Sequence, residues 1–551
     1  MTSVTDLREV ALGKLEELAP PSQRVAICEY GPSVYARPGS YKGQDVMVVC
    51  ESYGNGLRAH LRVVEGQQIR FLIADRDLIE SDIKRGTLGD FITDKFLYPH
   101  RPLANSDYLE TISTQAKTRI VKEETRDLVV EYGEMCRGLV AKPEFFGISR
   151  MRKRARVFAP SMADYLKLLD SSVRKRNIVT IHDAFKAAIS AMKGDVVELQ
   201  DDHVAFQDNA IDRWLKDRTS EQAVDILRQS QRAFYSYLTK GRSIYLSLDL
   251  LARELSEPIR LGIDPALLGT KPENPKDYLY LRTAEGFTSF NETASLFEIA
   301  SKLRPGRPIT ISPLAGVLNE VFLVTAGREK FVAKKFTDWH GFKWFTLNLV
   351  SFGSKVFAVS GKTRMTNEYG INRYLAKKGL QVPQIIHANL SQRILVEKYV
   401  VGTAMSDFVT SAVNQSTFTE GPRRLAELLG ETLARIHDVG VSVGDAKPEN
   451  FVASNGEIFT VDLEQAGKRG DYAWDIAELL FYTGHYSASQ IPTRGLSMLV
   501  EAFIKGYLRK GRPVELRRAT GVRYVKAFSF WTATPVILEI LKILHEASRA
   551  E

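Results

Sequence analysis

Cysteine is scarce: Cys28, Cys50 and Cys136 are the only three in 551 residues, and no two stand in a Cys-x-x-Cys spacing. An odd, scattered set argues against a disulfide framework and against a thiolate zinc site. Long apolar runs are missing as well. No stretch reaches the ~18 apolar residues of a spanning helix. The first residues, MTSVTDLREVALGKLEEL, are charged and amphipathic, without the apolar centre of a signal peptide. A reducing, cytoplasmic setting is the expectation. Internal repeats and low-complexity tracts are absent. The excess of positive charge is modest, +9, which permits a polyanionic partner without requiring one. What is present suffices for ordinary cores: 44% of residues are hydrophobic and 26% charged. At roughly 100–200 residues per domain, the chain should hold two to four domains.

The stretch richest in chemistry is Val441 to Ala466, VSVGDAKPENFVASNGEIFTVDLEQA. Phosphoryl transfer needs a carboxylate near the attacking hydroxyl, metal ligands, and cations around the moving group. Asp445 can orient a hydroxyl and accept its proton, and Lys447 can neutralise a γ-phosphate. Asn450 offers a neutral oxygen to Mg²⁺. Asp462 follows the apolar run Ile458-Phe459-Thr460-Val461, so a strand would hold this charged metal ligand rigidly.

Asp445-Ala446-Lys447-Pro448-Glu449-Asn450, with Asp462 twelve residues on, resembles the catalytic and metal-binding loops of the protein-kinase-like superfamily. The resemblance implies ATP and Mg²⁺ as cofactors. Two departures stand out. Val443-Gly444 replaces the usual His-Arg, and Leu463-Glu464 replaces Phe-Gly. Gly-Asp is typical of atypical members: the RIO kinases, the small kinase of the tRNA threonylcarbamoylation complex, and aminoglycoside or choline kinases. Without the Arg that usually grips it, control by a phosphorylated activation loop is not expected.

Earlier motifs of that family follow in order from about residue 305. Ile309–Ile311 and Val321–Val324 read as strands flanking a loop with Gly316, the candidate for close approach of phosphates. Phe331-Val-Ala-Lys-Lys-Phe336 supplies the phosphate lysine. Phe-Val-Ala-Lys points to Lys334, Val-Ala-x-Lys to Lys335, and the two lie on opposite strand faces. Glu368, on a helix spanning about 364–375, is the expected partner. Ile394–Val400 and Gly402 resemble the inter-lobe hinge, whose edge offers backbone groups to adenine, with Glu397 as its nucleotide-binding candidate. Asp475 is expected to brace the catalytic loop by hydrogen bonds. The segment His340–Val359 is an apolar, aromatic insertion, read as a helix packed on other parts of the chain or as a docking or membrane-surface face.

The N-terminal part reads differently. A helix over Asp6–Leu18 precedes strands at Arg24–Cys28, Asp45–Val49 and Ile69–Ala74, with Gly31-Pro-Ser33 after the first. This weakly resembles the polymerase-β-type nucleotidyltransferase superfamily, in which carboxylates on neighbouring strands hold two metals. Asp45 matches the first carboxylate and Asp75 is the candidate for the third. Met47 stands at the second position, and its thioether is a poor ligand for Mg²⁺. The domain therefore reads as degenerate. A helical pattern runs from Ser106 to Gly147. The cationic segment 150–156 and the cluster 174–176 are candidate contacts for RNA or DNA phosphates, or else solvated faces. Arg228, Arg232, Lys240 and Arg242 add cations among Tyr235, Tyr237 and Tyr245.

The expected fold is α+β and multidomain. It comprises a nucleotidyltransferase-like α/β domain over 1–105, a helical middle region over 106–257, a linker over 258–304, and a bilobal protein-kinase-like domain with lobes over 305–401 and 402–551. The expected function is an ATP-dependent kinase acting on a hydroxyl, with Ser/Thr of a protein favoured because of Lys447. The alternatives are a nucleic-acid-binding or nucleotidyl-transferring protein regulated by its kinase domain, a small-molecule, lipid or sugar kinase, and a pseudokinase scaffold.

Overall fold

The computed structural model describes residues 13, 15–41, 43–54, 56–64, 67–157, 159–192, 194–217, 273–314, 319–338, 357–417, 419–487, 491–529 and 531–549. It is a mixed α/β structure that divides into two compact units. The first comprises Met1–Val130 and Val140–Leu279, the second Glu131–Leu139 and Tyr280–Glu551. Most of the expected Asp6–Leu18 helix, Gly316, most of the His340–Val359 insertion, and the cations and tyrosines at 228–245 lie outside the described residues. Among the described residues, no helix is long and apolar enough to cross a membrane.

In the first unit, β1 (Arg24–Tyr30), β2 (Gly43–Cys50), β3 (Leu57–Val64), β4 (Gln67–Asp75) and β5 (Arg101–Ala104) form one sheet in the order β3-β4-β2-β1-β5. Strand alternation explains the sequence of β2. Val46, Val48 and Cys50 enter a core with Leu15, Ala19, Ile69, Phe71 and Ile73. Met47 and Val49 enter the opposite core. That second core includes Leu109, Ile112 and Ala116 from helix α1 (Ser106–Tyr132). The domain therefore does not end at 105, because the first turns of α1 cover one face of its sheet. The helical pattern expected to Gly147 is interrupted by a 3-10 turn at Gly133–Arg137 and by β6 (Leu139–Ala141). Helix α2 (Glu144–Val157) and helix α3 (Arg174–Ser190) follow, then the hairpin of β7 (Val197–Gln200) and β8 (His203–Phe206).

Two corrections concern this unit. Asp45 lies opposite Arg70 in the parallel β2–β4 pairing, and Asp75 lies opposite Cys50. Asp75 is thus five residues further along, about 16 Å at strand rise. Its carboxylate caps a turn instead, accepting from the N–H groups of Tyr53 and Gly56. It cannot be the third member of a site at Asp45. Four cations of the basic segment 150–156 have protein partners. Arg150 pairs with Glu123 and Glu124, Lys153 with Glu124 and Asp127, and Arg154 with Asp94, while Arg152 donates to the Glu273 carbonyl. Of the 174–176 cluster, Arg174 pairs with Glu273 and Arg176 donates to the Tyr35 carbonyl.

The second unit begins earlier than expected. The described part of the supposed linker is structured: β9 (Leu279–Thr283) and β10 (Gly286–Ser289) form a hairpin, and helix α4 (Leu296–Leu303) carries a Ser295–Glu298 capping box. Ile299 and Ala300 of α4 cover the outer face of a five-stranded antiparallel sheet. Its strands are β11 (Ile309–Leu314), β12 (Glu320–Ala326), β13 (Glu329–Lys335), β14 (Ile385–Asn389) and β15 (Ile394–Lys398), in the order β11-β12-β13-β15-β14.

Helix α5 (Gly361–Lys377) accompanies this sheet. The 3-10 turn at Gly133–Arg137 packs on α5, where Gly370 leaves room for the Glu134 carbonyl and the Tyr369 hydroxyl donates to the carbonyls of Gly138 and Arg282. The remainder is mainly helical, with α6 (Met405–Val413), α7 (Glu420–Asp438), α8 (Tyr472–Thr483), α9 (Arg494–Tyr507) and α10 (Thr534–Arg549) contributing to one apolar core. Five short strands complete the unit: β16 (Thr403–Ala404), β17 (Val441–Ser442), β18 (Phe451–Ser454), β19 (Glu457–Thr460) and β20 (Gly467–Lys468). Strand β18 pairs with both β16 and β19, and β17 pairs with β20.

Candidate active site

Strand alternation separates the two lysines of β13. Phe331 and Ala333 face the core under α4, and Lys335, on the same parity, pairs with Glu320 at the surface, 3.1 Å away. Lys334 points to the opposite face and is buried. Its Nζ donates to Glu368 Oε1 at 2.9 Å and to the Val461 carbonyl at 2.8 Å. Asp462 Oδ1 lies 3.8 Å from the same nitrogen. Glu397, expected in the hinge strand for its backbone, turns its carboxylate inward to 3.5 Å from Lys334. One ammonium thus serves three carboxylates. Burial by itself depresses the Lys334 ammonium, but Glu368, Glu397 and Asp462 together hold it well above its ordinary value. Burial pushes the Glu368 and Glu397 carboxyls up, with Lys334 opposing.

Glu368 has a second task. Its Oε2 accepts from the Leu463 N–H at 2.6 Å, so α5 grips the turn that carries Asp462. Glu464 extends the grip: its carboxylate meets Arg364 at 3.1 Å and Asn319 at 2.5 Å. Burial, then the neighbouring Asp462, pushes the Glu464 carboxyl up to about 7, with Arg364 opposing.

The loop 443–447 sits between β17 and a 3-10 turn at Pro448–Asn450. Gly444 has φ of 77°, a left-handed conformation in which glycine carries no Cβ penalty. The loop backbone is fastened from α8. Asp475, fully buried, accepts from the N–H groups of Val443 and Gly444, both at 2.7 Å, and meets His437 Nε2 at 3.0 Å. Glu478, one turn on, accepts from Ala446 N–H at 2.8 Å and from the Trp474 indole at 2.9 Å. The fixed loop presents Asp445 and Lys447 together, with Nζ 2.8 Å from Oδ1. Burial lowers the Lys447 ammonium, but Asp445 and Glu478 more than restore it and raise it above its ordinary value. Its Nζ also lies 5.7 Å from the Tyr482 ring centre.

Asn450 donates its amide nitrogen to the Asp445 carbonyl at 2.7 Å and to Asp445 Oδ2 at 3.3 Å, which leaves the amide oxygen as its remaining ligand atom. Asp462 is about one-third exposed. An amide oxygen and a carboxylate are hard donors of the kind Mg²⁺ takes when phosphates and water complete its shell. The donor set fits that ion. Among the described residues, no group of three His, Cys, Asp or Glu side chains is placed to hold a metal by itself.

The structure therefore brings Lys334, Glu368, Glu397 and Asp462 into one cluster and Asp445, Lys447 and Asn450 into another. It leaves Lys335 outside, and Gly316 lies beyond the described residues. Sequence reasoning missed Glu478, although it stands three residues after Asp475 on one helical face. It also missed Asn319 and Arg364, for which no local signal exists.

No family model matches the chain, and no curated protein matches it. Solved structures resemble part of it. "WaaP in complex with acyl carrier protein" matches over 44% of this chain and 95% of that one, with 16% identity and a TM-score of 0.29. The kinase domain of Mycobacterium tuberculosis PknI matches over 44% and 95%, with 14% identity and a TM-score of 0.25. A putative aminoglycoside phosphotransferase from Ralstonia eutropha matches over 45% and 96%, with 9% identity and a TM-score of 0.24. At these scores a function has to rest on the side chains, not on the likeness.

Proposed function

We propose that the second unit is an ATP-dependent phosphotransferase that passes the γ-phosphate to a hydroxyl, with Ser or Thr of a protein as the acceptor. One observation carries this reading. A buried lysine–glutamate pair, a carboxylate at Asp462, an amide oxygen at Asn450 and the Asp445–Lys447 pair are each fixed by backbone hydrogen bonds or ion pairs, in the set that phosphoryl transfer requires. Lys334 would neutralise the α- and β-phosphates. Asn450 and Asp462 would hold Mg²⁺, which when bound screens the phosphate charge. Asp445 would orient the acceptor hydroxyl and take its proton. Lys447 would offset the charge that develops on the transferred group.

The protein acceptor is inferred from Lys447, which occurs in Ser/Thr and RIO kinases and is usually missing from the aminoglycoside group. The test follows from that. Lys447→Ala should lower kcat on the order of 10²–10³-fold and leave KM for ATP nearly unchanged, as for other preorganised electrostatic donors. The measurement is steady-state phosphorylation of a general protein acceptor beside a panel of sugars and alcohols. A variant that only raises KM for ATP refutes the transfer role of Lys447. Phosphorylation of the small acceptors alone replaces the protein acceptor with a small molecule.

In the first unit we read the nucleotidyltransferase-like sheet as inactive. Asp45 is held by the Arg70 guanidinium at 2.7 Å and by the Tyr41 hydroxyl at 3.1 Å, and Met47 is buried in the core. The full chain should not transfer nucleotides from ATP, CTP or GTP to RNA, and label appearing on RNA overturns this.

A further inference from the structure

The turn after Asp462 departs from the usual Phe-Gly, and the structure gives Glu464 specific partners. Its Oε2 lies 2.5 Å from Asn319 Nδ2 and 3.1 Å from Arg364 Nη1, and Oε1 lies 3.3 Å from the same Nη1. Asn319 Oδ1 in turn accepts from Arg364 Nη1 at 2.5 Å, which closes a three-residue ring. Arg364 also donates to the Thr337 carbonyl, where the chain leaves β13. Asn367, on the next turn of α5, donates to the Glu464 carbonyl at 3.2 Å. The ring joins segments 45, 100 and 145 residues apart. Asn319 enters β12, Arg364 rides on α5, and Glu464 ends the metal-binding turn.

We propose that Glu464, Arg364 and Asn319 are positioning residues, a polar latch that sets the Asp462 turn without phosphorylation of the chain. The proposal rests on the phosphotransfer reading above. Its logic is mechanical. Asp462 sits two residues before Glu464, and the Glu464 N–H lies 3.4 Å from Asp462 Oδ1. Leu463, between them, is held by Glu368. With both following residues anchored to α5, Asp462 has little freedom to swing. Arg364 is fully buried, so its charge is compensated only while Glu464 and the surrounding acceptors stay in place. The guanidinium's planar fork engages Glu464, Asn319 and the Thr337 carbonyl together; a lysine ammonium cannot reproduce that geometry. A glycine at 464 would leave the turn unlatched. This chain lacks the arginine before Asp445 that would grip a loop phosphate, and it carries the latch instead.

The test uses the full chain and two readouts. The first is hydrogen–deuterium exchange without nucleotide, in peptides covering 319–326, 361–368 and 461–466. Losing a charge-assisted hydrogen bond should raise local opening roughly ten- to a hundredfold. Glu464→Gly should therefore speed exchange in all three peptides together, and the milder Asn319→Ala should speed it in the first and third. The second readout is the Mg²⁺ concentration giving half-maximal ATP turnover. It should rise about tenfold in Glu464→Gly, while kcat at saturating Mg²⁺ recovers most of the wild-type value. Arg364→Lys should resemble Glu464→Gly in both readouts. Exchange confined to 461–466 in Glu464→Gly, or unchanged exchange in Asn319→Ala, overturns the latch. Absence of turnover in the unmodified chain refutes the phosphotransfer reading and leaves the exchange result to judge the latch.

Discussion

Removing the ammonium of Lys334 should damage stability as well as activity, and the burial of its partners sets the scale. Glu368 and Glu397 are buried to 1% and 2% exposure, and Lys334 is their shared counter-charge. Taking one partner out of a buried ion pair typically costs about 3–5 kcal/mol, because it leaves a charge without compensation. Against a total stability of about 5–15 kcal/mol, that is a large share. Lys334→Met should therefore lose about 3–5 kcal/mol in urea unfolding followed by circular dichroism.

Glu368→Gln added to Lys334→Met removes one orphaned charge and keeps an oxygen for the Leu463 N–H. The double variant should thus be more stable than Lys334→Met alone, while its kcat/KM for ATP stays as low. The pH dependence has a definite sign. Without the ammonium, burial raises the folded-state carboxyl pKa values further, so the folded state binds protons more readily than the unfolded state. Stability of Lys334→Met should then fall as pH rises above the ordinary carboxyl value of 4.5 and recover as pH is lowered toward it. Wild-type stability in the single variant, or strict additivity in the double one, refutes the idea that Lys334 compensates desolvated charge.

Three further outcomes are expected. Asp475→Asn sets a side-chain NH₂ against the loop N–H groups; it should cost about 1.5–3 kcal/mol in stability for one lost charge-assisted bond and lower kcat, checked by denaturation and steady-state kinetics. Gly370→Ala places a methyl group against the Glu134 carbonyl and should destabilise the second unit by about 1–3 kcal/mol, read from its unfolding midpoint. Burial lowers the Lys117 ammonium to about 8, so the unfolded state binds more protons between there and its ordinary value of 10.5. Wild-type stability should gain from this group as pH rises through that window, and Lys117→Met should lose that gain in denaturation curves from about pH 7 to about pH 11.

Much of the candidate site was legible because its residues are close in sequence or tied to a local period. Asp445, Lys447 and Asn450 share one short loop, so they cannot be far apart in space. Asp462 follows an apolar run that forms β19. Asp475 was legible from its motif, whereas Glu478 was missed although it stands one turn on along α8 and fastens the same loop. What local pattern could not decide was which face the rest of the chain covers. Alternation places Lys334 and Lys335 on opposite sides of β13. Only α4, from a stretch read as a linker, closes the outer side and leaves the inner side to Lys334. Likewise Met47, Asp45 and Asp75 look like a partial carboxylate set until strand register puts Arg70 beside Asp45 and moves Asp75 along the sheet. Arg150 and Lys153 read as part of a phosphate-binding stripe until α1 supplies their carboxylates. Direction along one strand, helix or loop follows from residue spacing, so the local chemistry could be read from residue order. Which charges are paired could not, because a counter-charge can come from any distance along the chain and burial makes an unpaired one costly.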